Sequence, residues 1–110
     1  MGGSASAFVG GAVSYPLIIR PAAEEDLAEG REWYEIRREG LGTEFLAAVE
    51  EAFDRIRDNP ELHAAEYRAV RRAGLGRFPY VVYYRIVGTT VEVIAVQHGS
   101  RNPRRWRSRA

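Results

Sequence analysis

Residues Arg77 to Val87 read RFPYVVYYRIV, a run of aromatic and β-branched residues of the kind that strands favour. Phe78, Tyr80, Val82, Tyr84 and Ile86 fall on one face of such a strand, and Val81, Tyr83 and Arg85 on the other. Gly88-Thr89-Thr90 then makes a turn into Val91 to His98 (VEVIAVQH), which closes a hairpin. This second strand is apolar on both faces in its middle, which predicts an interior place in a sheet. Just upstream, Tyr67 to Ala73 alternates and reads as one more short strand, ended by the turn Ala73-Gly74-Leu75-Gly76. By that alternation Arg71 opposes Val70 and shares a face with Tyr83 and Arg85.

The half before this strand-rich region is helical. Tyr15 to Arg20 (YPLIIR) reads as a first strand, and Pro21 opens a helix at a position where its missing N–H costs little. Glu24, Glu25 and Asp26 suit the positive end of that helix, Arg37 and Arg38 its negative end, and Gly40 is the expected C-cap. Phe45, Val49, Phe53 and Ile56 mark a core stripe on a second helix, from about Thr43 to Asp58, which Asn59-Pro60 terminates. The short link makes the two an antiparallel hairpin, with Trp33 and Tyr34 assigned to the core. The order β-α-α-β-β-β predicts an α+β domain: a helical hairpin on one face of a twisted, mostly antiparallel four-stranded sheet, the other face partly open.

A length of 110 residues fits one domain, assigned to residues 15–110, after a Gly/Ala/Ser-rich tail over residues 1–14 read as flexible. With no Cys and only two His, the sequence offers no disulfide framework and no thiolate or histidine-rich metal site, so no metal or cofactor is expected. A reducing cytoplasm is the simplest compartment, and no apolar run approaches the roughly 20 residues of a membrane span. All 16 basic side chains are Arg. Their distribution is uneven: residues 1–66 hold six Arg against fourteen Asp and Glu (−8), and residues 67–110 hold ten Arg against Glu92 alone (+9), giving the net +1. A basic half of this kind suits nucleic acid or an acidic protein partner.

Five segments in order carry a likeness: Gly40-Leu41-Gly42-Thr43-Glu44-Phe45-Leu46, Asn59-Pro60-Glu61, Val70-Arg71-Arg72, Arg77 through Arg85, and Val93 through Gly99. Together they resemble the RelE/ParE family of toxins from type II toxin–antitoxin systems, also met as plasmid stabilisation proteins. The resemblance runs from Tyr15 to about Arg107. It implies a growth-inhibiting toxin held by a cognate antitoxin, expected to contribute an acidic segment that orders on binding. RelE-like members cut ribosome-bound mRNA; ParE-like members poison DNA gyrase.

Metal-independent RNA cleavage requires an acid, a base and cations on the phosphate. The resemblance matches Arg71 or Arg72 and Arg101 to the cations. It finds no counterpart for the C-terminal tyrosine of RelE-like enzymes, leaving His98 as the one candidate proton carrier. Gyrase inhibition asks only for a gripping surface, for which Arg71, Tyr83, Arg85, Arg101, Arg104, Arg105 and Trp106 are the candidates. Gyrase is therefore the favoured target, the endoribonuclease the alternative, and a non-toxic antitoxin-binding module the second alternative. Trp106 is expected to anchor the basic tail on the sheet or a helix edge.

Overall fold

The computed structural model describes residues 14–110; all but the last residue of the expected flexible tail lies outside them. The elements are β1 (Leu17–Ile19), α1 (Pro21–Arg37), α2 (Leu41–Asp58), β2 (Ala65–Tyr67), β3 (Val70–Gly74), β4 (Tyr80–Val87), β5 (Thr90–His98) and α3 (Arg104–Arg107). The sheet order is β1-β5-β4-β3-β2; β1 runs parallel to β5 and every other pair is antiparallel. The α+β architecture and the helical hairpin are as the sequence implies, and β5 is interior.

The sheet has five strands rather than four, because Tyr67 to Ala73 is two strands. They turn at Arg68-Ala69, whose φ values are +48° and +65°. A two-residue hairpin turn with both φ positive normally carries Asn or Gly, and nothing in this sequence flags it. The left-handed region costs about 1 kcal/mol or more for a residue with a Cβ. Ala69→Gly is therefore expected to raise the urea midpoint by an amount worth about 1 kcal/mol; an unchanged or lower midpoint would mean that the turn carries no such strain.

Gly40 does take a left-handed φ of +88°, yet α1 has already ended at Arg37 and Gly40 begins α2. Glu35 reaches back across the link and accepts the N–H groups of Gly40 and Gly42, each at 2.9 Å. Those bonds hold the Glu35 carboxyl below its ordinary value. The helices then approach closely. A Cβ on Gly42 would stand 2.7 Å from the Arg31 carbonyl oxygen, and one on Gly30 would stand 2.8 Å from the Phe45 ring.

Two apolar layers result. Phe45, Val49, Ala52, Phe53 and Ile56 of α2 meet Ala73, Val82, Tyr84, Val91, Val93 and Val96 of the sheet, with Tyr34 and Phe78 beside them. On the sheet's other face Val70, Val81, Tyr83, Ile94 and Ala95 pack on Trp106 of α3. The alternation of β5 breaks between Val93 and Ala95, where the register to β4 shifts. Ile94 and Ala95 both lie in the second layer, which is why the strand reads apolar on both faces. The face expected to be partly open is thus covered by the C-terminal segment. Trp33, assigned to the core from its spacing, is 49% exposed; Tyr34 is the buried one.

Burial raises the phenol pKa of Tyr34, Tyr80, Tyr83 and Tyr84 above the usual 10.0. A group whose folded pKa exceeds its unfolded one stabilises fully below the unfolded value and loses that contribution as pH climbs through the folded value. Urea midpoints should therefore hold up to about pH 10 and fall steeply above it. Tyr83→Phe should flatten the fall; an identical slope would remove Tyr83 as a contributor.

Candidate functional site

Where β1 stops at Ile19, the neighbouring edge of β5 would be left unpaired. Asp26 of α1 fills the gap: its carboxylate, buried at 9% residue exposure, accepts the Val96 N–H at 3.0 Å. The same carboxylate takes a two-pronged contact from Arg109, at 2.7 and 3.2 Å, and Arg109 also donates to the Ile94 carbonyl at 3.2 Å. Arg20 donates to the Arg109 carbonyl at 2.8 Å and to Glu92 at 2.6 Å. Trp106 stacks on Tyr83, with ring centres 4.5 Å apart and planes 15° from parallel. The basic tail is pinned by Trp106 within α3 and by Arg109 just beyond its end.

Beside this clasp, α1 and the end of β5 enclose a groove with two lobes of about 120 and 400 Å³. Trp33 and Tyr80 line both lobes and Arg101 closes the rim. Asp26 and Glu29 mark the acidic end, and Pro79, His98 and Ser100 the opposite one. Trp33 is held in place by Arg37, whose guanidinium lies 3.2 Å from the ring centre and which donates to the Trp33 carbonyl. One turn on, Ile36 is 74% exposed. A half-exposed indole and a tyrosine lining a groove with an arginine on its rim have the composition of a protein-binding hot spot.

His98 Nδ1 accepts the Ser100 N–H at 3.1 Å and lies 2.8 Å from Ser100 Oγ, while its ring stands edge-on to Tyr80. A neutral imidazole accepting at Nδ1 carries its proton on Nε2. Arg101 is exposed and, among the described residues, has no carboxylate within 4.0 Å. Its charge lowers the Tyr80 pKa against the larger effect of burial, which raises it.

Of the residues singled out from sequence, the structure brings His98 and Arg101 together in this groove and disperses the rest. Arg71 is corrected. It pairs with Tyr84, so it lies on the helix-hairpin face, where it donates to the carbonyls of His63 and Glu61 at 2.6 and 3.3 Å. The reason is that Val70, its neighbour, faces Trp106. Arg72 takes the place assigned to Arg71, over the Tyr83 ring and 3.7 Å from Glu66. Tyr83 and Trp106, named from sequence as contact residues, are each 3% exposed and stack on one another in the second apolar layer. Arg85 lies 3.8 Å from Glu92. Arg104 and Arg105 are exposed on α3. Trp33, Tyr80 and the Asp26–Arg109 pair are the groups that sequence reasoning missed. Trp33 sits one residue off the buried face of α1, formed by Ala23, Asp26, Gly30 and Tyr34, and that offset was the available sign for it.

Among the described residues no three His, Asp or Glu side chains gather as a metal site, and no helix is long and apolar enough to cross a membrane.

Residues 17–103 match the family model described as ParE toxin of type II toxin-antitoxin system, parDE. Among solved structures, the fold is similar to a chain of the chromosomal ParDE system from P. aeruginosa, at TM-score 0.69 and 17% identity over 77% of this chain and 96% of that one. It is also similar to a chain of the toxin–antitoxin complex RelBE2 from Mycobacterium tuberculosis, at TM-score 0.59 and 28% identity over 78% and 99%. No curated protein matches the chain. The family match spans most of the chain, from β1 to the threshold of α3, and on that ground the chain belongs to the ParE toxins of type II toxin–antitoxin systems.

Proposed function

We propose that this toxin inhibits DNA gyrase through the groove between α1 and the end of β5, and that a cognate antitoxin with an acidic, apolar-anchored segment silences it. The observation that carries the reading is the state of the one candidate proton carrier. His98 accepts the Ser100 N–H at Nδ1, which leaves Nε2 protonated and unable to take a proton as a base, and Arg71 and Arg72, the strand arginines of the nuclease scheme, lie on opposite faces of the sheet. A grip needs no proton transfer. It needs a desolvatable aromatic and a cation, which Trp33, Tyr80 and Arg101 supply. The setting is the bacterial cytoplasm, and pairing with an antitoxin gives the gene its role in stabilising the replicon that bears it.

The RelE-like alternative has one observation in its favour: His98 and Arg101 do share the groove, a proton carrier next to a cation. Purified toxin added to gyrase and relaxed plasmid should block supercoiling, while ribosome-bound mRNA stays intact. Codon-positioned cleavage that vanishes in His98→Gln would establish the alternative. Neither activity, with harmless overexpression, would leave an antitoxin-binding module.

A further inference from the structure

On the side of the sheet away from the helical hairpin, we propose that the turn between β2 and β3, together with α3, forms a site for the phosphodiester backbone of duplex DNA. The site stands apart from the groove and does not depend on gyrase being the target.

Three observations carry it. First, the arginines there are unspent. Arg77 has Glu44, Arg85 has Glu92 and Arg109 has Asp26. Among the described residues, Arg68, Arg104 and Arg107 have no carboxylate within 4.0 Å, and all three are exposed. Second, they converge. The guanidinium of Arg68 lies 5.4 Å and that of Arg107 5.0 Å from the centre of the same Tyr67 ring. Arg104 sits one helical turn from Arg107. The ring thus carries two positive charges with no carboxylate on either, and an anion that reaches both would be stabilised. Third, the backbone is strained to make this arrangement: Arg68 holds its left-handed φ in the turn that presents it.

The form of the ligand follows from what the aromatics are doing. Trp106 and Tyr83 are buried against each other, and Tyr67 is flanked by the two guanidiniums. No ring is left as a platform for an unstacked base, the feature that single-strand binders rely on. An acidic peptide is disfavoured too. The exposed large apolar residues, Ile18, Trp33, Ile36, Leu62 and Val87, all lie outside the turn and α3, so a peptide has no anchor there. Unpaired, rigidly based guanidiniums suit phosphate oxygens, which they bind two-pronged.

The test is fluorescence anisotropy of the purified chain with a labelled duplex DNA, a single-stranded RNA of equal length and a polyglutamate peptide, over a salt series. Duplex DNA should bind, with log K falling against log salt at a slope of roughly −3 for three to four phosphate contacts. Arg68→Ala and Arg107→Ala should each flatten that slope by about 1 and weaken binding about tenfold at low salt. Arg77→Ala removes equal charge elsewhere and should change neither. Both patch residues are exposed, so an unchanged thermal midpoint confirms that the variants fold. Equal loss in Arg77→Ala, tighter binding of single-stranded RNA or of polyglutamate, or no duplex binding at low salt would each overturn the proposal.

Discussion

Induction of this chain in bacteria without its antitoxin should arrest growth, and His98→Gln should arrest it nearly as well. A nuclease deprived of its one acid–base group loses roughly 10²–10⁴ in rate, so the substitution would rescue growth if RNA cleavage were the mechanism. Where the mechanism is a grip, rescue should come from Trp33→Ala instead. That change removes a half-exposed indole from the groove wall. Hot-spot tryptophans cost about 2 kcal/mol or more on truncation, a loss of roughly thirtyfold or more in affinity. Because the Trp33 ring is not core, the variant should stay folded. Arg101→Ala should act in the same direction by removing the rim cation. Full rescue by His98→Gln together with full toxicity of Trp33→Ala would place the activity in proton transfer and dissolve the groove reading. A gene whose induction leaves growth untouched at high expression would dissolve the toxic reading altogether.

The second large effect concerns Asp26. Asp26→Ala should destabilise the fold by about 3 kcal/mol, the lower end of the cost of breaking a buried charge pair. The lower end applies because the Arg109 side chain is 24% exposed and partly screened. The loss has two parts: Arg109 is left without its carboxylate, and the Val96 N–H at the gap in the sheet edge loses its acceptor. The tail should loosen with it. Burying an indole contributes about 4–6 kcal/mol, while each backbone residue held in place costs about 1–2 kcal/mol, so the Trp106 stack alone does not hold the segment from Arg104 to Arg109. Asp26→Asn, which keeps an acceptor for Val96, should lose less. Chemical unfolding followed by tryptophan fluorescence and by far-ultraviolet circular dichroism measures both parts. A change below about 0.5 kcal/mol in Asp26→Ala, the range of ordinary surface substitutions, would show that the clasp is ornamental.

The helical hairpin was legible because its signals are local: a stripe at Phe45, Val49, Phe53 and Ile56, and a stop at Asn59-Pro60. The hairpin of β4 and β5 was legible for the same reason. What escaped depends on partners distant in sequence. Arg68-Ala69 forms a turn whose residue types do not announce one, because tertiary packing of Val70 against Trp106 sets the register. Arg71 was put on the wrong face because Val70 packs on Trp106 and not on the helices, and a one-residue change of phase moves every side chain across the sheet. The bulge at Ile94 is likewise invisible in an apolar run. The groove draws on α1, the start of β4 and the loop after β5, and Asp26 looked like a routine first-turn acid until β1 proved to stop short of Val96.

The clasp also sets an order of events during synthesis. Arg20 meets Arg109 across 89 positions of chain, Asp26 meets it across 83, and β1 pairs with β5. Contacts of such span form late, because loop closure must precede any gain from them. Elongation proceeds at about 5–20 residues per second, so for seconds the emerging chain has its helical hairpin but neither its parallel edge nor its strap. The groove wall built by β5 and Arg101 is absent for that whole interval. A groove wired in this way is complete only after the C-terminal segment has docked on Asp26, which is itself part of its wall.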